Sequence, residues 1–500
     1  MAINRKLTWK GFHRWVGLVF SVFILVFCIS GILLNHREGI AGCDVNRSLL
    51  PSSYHIRNYN NGILKGTLRL GPDSILVYGN SGLWLTDNSF AHWRGMNEGL
   101  PTGADRRNVR NVVRSADGAI WAAAQYDLFR HTGRQWTPVA LPGNTERVTD
   151  VTLSPDSTRI IALTRSKIYS IDAVNARDAR VIPLQAAEGH STEVTLFKTI
   201  WLLHSGGLFG ITGRIIVDTV AVVIIFLCFT GIVIFIVPHR LRAAARRKLT
   251  TRVRRLATWL KWNVRWHDRA GYWLIALTLL ISVTGMCLRP PLMIPLVLTT
   301  TEPLPYSTLD NDNPWHDRLR AARFDDRLGK WLISTSEGFV TVDAGFKTRP
   351  VFLDISKTPP VSPMGINVFE RDTLGRWIVG SFSGMFRWDP VTGEVTDYFT
   401  GRKPERGQGR PVASFMATGY TAEAREPIAV DYAKGTDRLS EMPAELVAQP
   451  ISLWNTALEL HVGRCYNPFL GPLSDLFVFI AGLLLTLILI SGLIIHRRHA

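Results

Sequence analysis

The sequence has few cysteines and lacks the short motifs of common soluble enzymes. Its five cysteines include no Cys-x-x-Cys-His, which excludes covalently attached c-type haem. No Walker loop, dinucleotide fingerprint or catalytic triad stands out. Cys28, Cys228 and Cys287 lie within apolar runs as packing residues. Cys43 and Cys465 lie just outside such runs, where a disulfide is as well supported as two free thiols.

Acidic residues are missing from three short segments, and this accounts for most of the net charge of +17. The basic residues of these segments are Arg5, Lys6, Lys10 and Arg14, then Arg240, Arg242, Arg246, Arg247, Lys248, Arg252, Arg254, Arg255, Lys261 and Arg265, and finally Arg497 and Arg498. The rest of the chain is almost neutral, which argues against nucleic acid as a partner. Basic residues beside apolar spans instead mark the cytoplasmic side of a lipid bilayer.

Four apolar stretches are long enough to cross a bilayer, which needs about 20 residues. They cover roughly 13–35, 213–237, 270–290 and 473–495. With the basic segments inside the cell, both termini are cytoplasmic and two large polar tracts are periplasmic. The first span ends at His36 without the small residues of a cleavage site, so we expect an uncleaved signal-anchor.

The predicted fold is an integral membrane α-helical protein with four transmembrane helices in two parallel repeats, carrying β-rich, propeller-like extracytoplasmic domains. The predicted boundaries are 1–36 (N-terminus and first helix), 37–200 (first periplasmic β-rich domain), 201–238 (second helix), 239–266 (basic cytoplasmic loop), 267–294 (third helix), 295–460 (second periplasmic β-rich domain) and 461–500 (fourth helix and tail).

The two halves of the membrane region repeat one pattern of residues. The first helix of each half opens with His-x-x-x-Gly and reaches a Ser/Thr-Gly pair 17 residues after the histidine, at Ser30 and Thr284. In the second helices, a histidine is followed by an aspartate after 14 residues and by another histidine after 35. Their Ser/Thr-Gly pairs, at Thr230 and Ser491, are about one turn out of register. The pattern indicates two parallel repeats related by an axis along the membrane normal.

Seven histidines lie at the ends of the spans, and all but one recur by repeat position. They are His13, His36, His204, His239, His267, His461 and His496, of which His36 is the unmatched one. Polar groups in membrane helices are costly and suggest function. Haem iron takes axial imidazoles from facing helices, so the six matched histidines are candidate iron ligands. Zinc or copper is the competing metal, although such sites usually cluster their ligands at short spacing.

Glycines and aspartates near these histidines add to the prediction. Gly17 and Gly271 lie one turn after their histidines and offer room for a macrocycle, or for close helix packing. The glycine-rich segment 206–210 is expected to break the second helix and place His204 at the outer surface. Asp218 and Asp475 are expected at helix starts, the former paired with Arg214. The alternative for them is contact with a proton path or a quinol.

With these residues in place, the chain resembles the PepSY-associated transmembrane family. The similarity lies in Phe12 to Gly17, in the Leu-His-x-Gly starts at Leu203 and Leu460, and in the Ser/Thr-Gly pairs. It implies a bacterial inner-membrane protein with b-type haem, two groups being expected, bound by the span-end histidines. Some members resemble ferrisiderophore reductases, which implies a ferric chelate as substrate and a cytoplasmic, quinol or flavin electron donor. Neither polar tract shows a PepSY α+β pattern.

Both polar tracts have the pattern of short strands separated by turns. Starts of similar units occur at Asp73, Asp117, Asp156, Asp326 and Asp372, at spacings typical of propeller blades. The tracts are expected to form either one propeller or two domains. Tryptophans such as Trp121 and Trp377 are expected in the core.

Two functions follow from these patterns. The leading hypothesis is a transmembrane haem protein that passes electrons to a periplasmic ferric siderophore or another ferric chelate. The alternative is a non-enzymatic sensor or binding protein, in which the β-rich region binds a ligand and the helices anchor it.

Overall fold

The computed structural model describes residues 8–404 and 413–497, so the basic residues Arg5, Lys6 and Arg498 lie outside the described part. The chain forms two compact units. The helical unit comprises Met1–Ile40, Thr192–Asp310 and Trp454–Ala500, and the β unit comprises Ala41–Ser191 and Asn311–Leu453. The two polar tracts therefore fold together into one unit, although the chain passes through the helical unit between them.

Long apolar helices dominate the helical unit. In chain order the described helices are α1 Trp9–Asn35, α2 Leu196–Ser205, α3 Gly210–Arg246, α4 Thr250–Trp273, α5 Ile275–Cys287, α6 Met293–Leu298, α7 Ala444–Val447, α8 Leu453–His461, α9 Asn467–Leu470 and α10 Ser474–Arg497. Helix α7 belongs to the β unit.

The described residues contain three helices that could span a membrane, or four if one bent pair counts as a single span. Helix α1 and the helical segments that contain α3 and α10 are each long and apolar enough to cross a bilayer. The fourth candidate is α4 with α5, which meet at a bend of 66°. Helix α3 continues past Pro238 to Arg246, so the basic segment 239–266 is mostly helical rather than a loop.

The expected break before α3 is confirmed, and its counterpart explains the register of the repeat. Gly206 ends α2 with φ 76°, and Gly210 (φ 61°, ψ −135°) begins the next helix. In the second half, Gly463 (φ 81°) and Gly471 (φ 54°, ψ −136°) adopt matching conformations. The short helix α9 lies between them and adds four residues. This insertion shifts all later positions by about one turn.

The strands of the β unit form mostly four-stranded antiparallel sheets. In chain order the strands are β1 Asp44–Val45; β2 Gly66–Gly71, β3 Ser74–Gly79, β4 Gly82–Thr86 and β5 Trp93–Gly95; β6 Asn111–Arg114, β7 Ile120–Ala123, β8 Leu128–His131 and β9 Trp136–Val139; β10 Val148–Leu153, β11 Arg159–Thr164, β12 Ile168–Asp172 and β13 Arg180–Ile182; β14 Val194–Thr195 and β15 Thr300–Thr301; β16 Leu319–Asp325, β17 Lys330–Thr335, β18 Gly338–Asp343 and β19 Val351–Phe352; β20 Val368–Arg371, β21 Trp377–Ser381, β22 Gly384–Asp389 and β23 Glu394–Asp397; β24 Ala417–Thr421 and β25 Ile428–Asp431; and β26 Ile451–Ser452. Strands β14 and β15 pair within the helical unit.

Five sheets have the same internal order, with consecutive strands paired from first to last. The five aspartate turns seen in the sequence each join the first strand of a sheet to the second, so they recur once per sheet, but each sheet begins one strand before the predicted start. In the described ranges, β24 and β25 form a two-stranded sixth sheet of this unit, and β1 pairs with β26. Tryptophans fill the space between sheets, and Trp121 and Trp377 are buried as expected.

Side-chain hydrogen bonds join neighbouring sheets through their first strands. Asp150 on β10 accepts from Asn111 on β6 at 2.9 Å and from Arg323 on β16 at 2.6 Å. Thr67 on β2 contacts Thr421 on β24 at 2.8 Å, so the first and last sheets are also neighbours. The core of the β unit therefore joins segments from both polar tracts.

Candidate functional site

Four of the seven span-end histidines meet in two pairs within the helical unit. The rings of His13 on α1 and His267 on α4 have centroids 6.1 Å apart. The rings of His204 on α2 and His461 on α8 have centroids 6.2 Å apart. Each pair joins residues at matched positions of the two halves, so each half contributes one imidazole to each pair.

The two pairs lie toward opposite ends of the helices. His13 is in the second turn of α1, whereas His461 contacts Ser30 in the last two turns of the same helix. The 17 residues between His13 and Ser30 correspond to about 25 Å of helix. Apolar side chains fill the region between them, among them Phe20, Ile24 and Ile224. The helices thus hold two separate imidazole pairs at different depths.

Each of the four rings is held through its Nδ1 atom by a neighbouring helix. His13 Nδ1 lies 3.0 Å from both the Ile488 carbonyl and the Ser491 hydroxyl. At His204, the partners are the Ile281 carbonyl at 3.1 Å and Thr284 Oγ1 at 3.2 Å.

The other member of each pair is held in the same way. His461 Nδ1 lies 3.1 Å from the Phe27 carbonyl and 3.0 Å from Ser30 Oγ. His267 Nδ1 lies 2.8 Å from Thr230 Oγ1, and the Leu227 carbonyl also accepts from this ring. Among the described residues, no hydrogen bond involves Nε2 of any of the four histidines, which leaves that nitrogen for a ligand.

The remaining three predicted histidines lie outside these pairs. His36 Nε2 contacts Asp218 at 2.8 Å and its side chain is 60% exposed. His496 Nδ1 contacts Asp268 at 2.8 Å, and its ring stacks on Tyr272. His239 is exposed, and in the described part of the chain it contacts the carbonyl of Phe235, at 3.2 Å, and the ring of the same residue. Among the residues that the structure describes, none of these three meets another histidine.

The two aspartates differ in their surroundings. Asp218 also accepts a hydrogen bond from Asn35 at 2.9 Å, so it links α3 to the end of α1. In the described part of the chain, no ion pair joins Asp218 to Arg214. Asp475 lies in the first turn of α10. The four-residue insertion of α9 means that the equal spacing of these aspartates in the sequence does not reflect equal positions in the helices.

The small residues and cysteines near the pairs can also be placed. A Cβ atom on Gly17 would lie 3.9 Å from the Ile488 side chain, and one on Gly271 would lie 3.8 Å from Leu227. Both glycines therefore face the helix that holds the preceding histidine. All five cysteines are free thiols, with Cys43 exposed and Cys465 buried.

A second polar cluster lies in the β unit, around a cavity of about 30 Å³. Lys65, Arg323, Asp150 and Glu370 line it. Burial lowers the pKa of Lys65 well below its ordinary value, and the nearby Arg110 lowers it further. The cavity has room for about two water molecules, so it is an interior polar core rather than a pocket for a chelate.

The Ser and Thr residues that hold the imidazoles were visible in the sequence only as small helix-packing pairs. The signal that could have identified them is their number, because each half carries two Ser/Thr-Gly pairs and contributes two histidines to the ring pairs. The insertion of α9 hid this relation by moving Ser491 one turn from its expected place.

Comparisons with known proteins agree with the membrane assignment. The family described as the PepSY-associated TM region matches residues 10–499. No curated protein matches the chain. Among solved structures, the extracellular domain of a protein described as a one-component system from Bacteroides thetaiotaomicron is 9% identical, with a TM-score of 0.34. That alignment covers 76% of this chain and only 40% of the other. A protein of unknown function from the same organism is 9% identical with a TM-score of 0.37, covering 77% and 72%.

Proposed function

The chain belongs to the PepSY-associated transmembrane family, and from this premise we propose that it is a b-type haem protein of the bacterial inner membrane. In this proposal the paired histidines would hold two haem groups, which would supply electron transfer from a cytoplasmic, quinol or flavin donor to a periplasmic substrate. The substrate class is a ferric siderophore or another ferric chelate. The observation that supports this most is the presence of two imidazole pairs at different depths of the same helices.

The ring separations suit a metal between the two imidazoles. Two imidazole nitrogens that bind one metal from opposite sides, each at about 2 Å, place their ring centroids about 6 Å apart. The observed separations are 6.1 and 6.2 Å. With Nδ1 held by a neighbouring helix, Nε2 of each ring is the nitrogen available to the metal.

The number of ligands favours haem over zinc or copper. Structural zinc takes four protein ligands and catalytic zinc three, whereas each site here supplies two imidazoles. Among the described residues, no group of three or more His, Cys, Asp or Glu side chains is arranged to hold a metal ion. Haem iron needs only axial ligands from the protein, because the porphyrin supplies the other four nitrogens.

The residues of the chain perform the remaining tasks. Bound haem would supply one-electron transfer between ferric and ferrous iron. The histidines would fix the position of each group, and the apolar side chains between the pairs would exclude water from the space between them. The β unit, which we propose to be a six-sheet propeller-like domain on the periplasmic side, would bind the oxidised substrate.

An absorption spectrum tests this function directly. The full-length protein, purified in detergent after expression with added haem precursor, should show a Soret band that shifts on reduction with dithionite, with two haems per chain. The absence of haem under these conditions would overturn the proposal and favour a non-enzymatic sensor or binding protein. If haem binds, vesicles containing the protein and an internal reductant should reduce an external ferric chelate, and vesicles with a His13→Ala variant should not.

A further inference from the structure

The four Ser/Thr-Gly pairs of the helical unit make one repeated contact. Each pair lies on a long helix and touches one imidazole of the two histidine pairs. The partners are Ser30-Gly31 with His461, Thr230-Gly231 with His267, Thr284-Gly285 with His204, and Ser491-Gly492 with His13. The recurrence of the same contact at all four positions argues for a common role.

The hydroxyl groups can only accept hydrogen bonds from the rings. Each hydroxyl donates to a carbonyl one turn earlier in its own helix, as Thr284 does to Leu280 at 2.7 Å and Ser491 to Ile488 at 2.7 Å. Each imidazole Nδ1 also faces a backbone carbonyl, which has no proton to give. Nδ1 must therefore carry the proton, which leaves the Nε2 lone pair free for a metal.

The glycines provide space for the ring edge beside the hydroxyl. A Cβ atom on Gly285 would lie 2.9 Å from Cε1 of His204, and one on Gly492 would lie 3.2 Å from Cε1 of His13. The corresponding distances are 3.3 Å at Gly31 and 3.5 Å at Gly231. An alanine would push the ring away at Gly285, whereas at Gly231 it would meet ordinary van der Waals contact.

We propose that each Ser/Thr-Gly pair is the positioning element of one axial histidine: the hydroxyl and the carbonyl one turn before it fix the Nδ1-protonated tautomer, and the glycine admits the ring edge. This rests on the proposed haem function. Acceptors on Nδ1 increase the basicity of a metal-bound imidazole and stabilise the oxidised metal. The four hydroxyls would thus lower the reduction potential of the group that their histidines hold.

The test replaces one hydroxyl by a methyl group of the same shape. In Thr284→Val we expect about 10- to 100-fold weaker haem retention at the His204 site, and a higher midpoint potential for one of the two components in a redox titration. Thr284→Ser should restore both properties. Thr219→Val is the matched control, because Thr219 donates to the carbonyl of Ile215 at 2.7 Å on its own helix but hydrogen-bonds to no histidine in the described ranges.

The glycines give a second and independent measurement. Gly285→Ala should disturb the low-spin spectrum of one component, while Gly231→Ala should leave the spectrum close to wild type. A wild-type spectrum with two bis-histidine components, together with unchanged potentials and spectra in Thr284→Val and Gly285→Ala, would overturn this proposal alone. A wild-type protein without haem would instead overturn the proposed function.

Discussion

His13 and His267 occupy the same position in the two halves of the chain, and their imidazole rings meet with centroids 6.1 Å apart. His204 and His461 repeat this relation at a different depth of the helices. Because every pair takes one ring from each half, neither half can complete a site alone. The duplication of the sequence is therefore a requirement of the site and not only a trace of its origin.

The two pairs should be separable by substitution. We expect His204→Ala to remove one haem of two and to leave the other with its potential nearly unchanged, because about 25 Å of helix separates the sites. His13→Ala should remove the other haem. Haem content per chain and a redox titration measure both effects.

His239→Ala is the control for these variants, since its ring is exposed and its contacts among the described residues are with its own helix. It should retain both haems. Loss of both groups in His204→Ala, in a protein that still purifies as a folded chain, would contradict the separation of the sites.

The sequence predicted these four histidines but could not distinguish them from the other three. The repeat spacing supported His239 and His496 as iron ligands as strongly as it supported His204 and His461. The difference depends on the insertion of α9, which shifts the later part of α10 by four residues. The spacing of Thr230 and Ser491 already showed a shift of about one turn, but only the structure places the insertion between Gly463 and Gly471.

The strands and turns of the β unit could be predicted from the sequence, but the folding of both polar tracts into one unit could not. The aspartate turns and buried tryptophans followed from strand and turn chemistry alone. That both polar tracts share one unit follows from contacts more than 150 residues apart in sequence, such as Asp150 with Arg323. Ion pairs of this kind have no local signature in the sequence.

Asp150 should be important for the stability of the β unit. Its carboxylate is buried and accepts from Asn111, from the Ala322 amide and from Arg323, which belong to two other sheets. Replacing it by alanine leaves a buried guanidinium without its partner, so we expect a loss of about 3–5 kcal/mol in the free energy of unfolding. Thermal unfolding of the full-length protein, followed by tryptophan fluorescence, measures this loss.

Asp326 provides the matched comparison on the surface. Its carboxylate pairs with Arg371 at 3.0 Å but is 72% exposed. Exposed pairs contribute at most about 1 kcal/mol, so Asp326→Ala should unfold near the wild-type temperature. Equal effects of the two substitutions would show that the buried network is not a stabilising element.

Glu370 should make the stability of the β unit depend on pH. Burial raises the pKa of its carboxyl; the Arg323 guanidinium opposes this shift and the Asp150 carboxylate adds to it. Because the pKa of Glu370 is higher in the folded state than in the unfolded state, protonated Glu370 favours the folded state. This contribution is fully present below the unfolded pKa of about 4.3 and is lost as the pH rises through the folded pKa. Glu370→Gln should therefore be more stable than wild type at pH 7, with a smaller difference at pH 4.

Denaturation of both proteins between pH 4 and pH 8 gives this comparison. Asp389 is the control, because its pKa is lowered where that of Glu370 is raised. Burial raises the pKa of Asp389, but hydrogen bonds from the Val391 amide and Arg327 outweigh this and lower it. Its contribution is present at neutral pH and lost in acid, so Asp389→Asn should destabilise the protein at pH 7. A parallel pH dependence in wild type and Glu370→Gln would contradict the role assigned to Glu370.

Cys43 offers a direct test of the side of the membrane on which the β unit lies. It is an exposed free thiol, whereas the other four cysteines are buried or half-buried. If the β unit is periplasmic, a membrane-impermeant maleimide should label wild-type protein in intact spheroplasts, and Cys43→Ser should abolish the labelling.

An Arg254→Cys substitution in the Cys43→Ser background should become labelled only after lysis, since Arg254 lies in the basic segment that we predict to be cytoplasmic. Labelling of Cys43 only after lysis would reverse the topology, and labelling that requires a reductant would instead indicate a disulfide at Cys43.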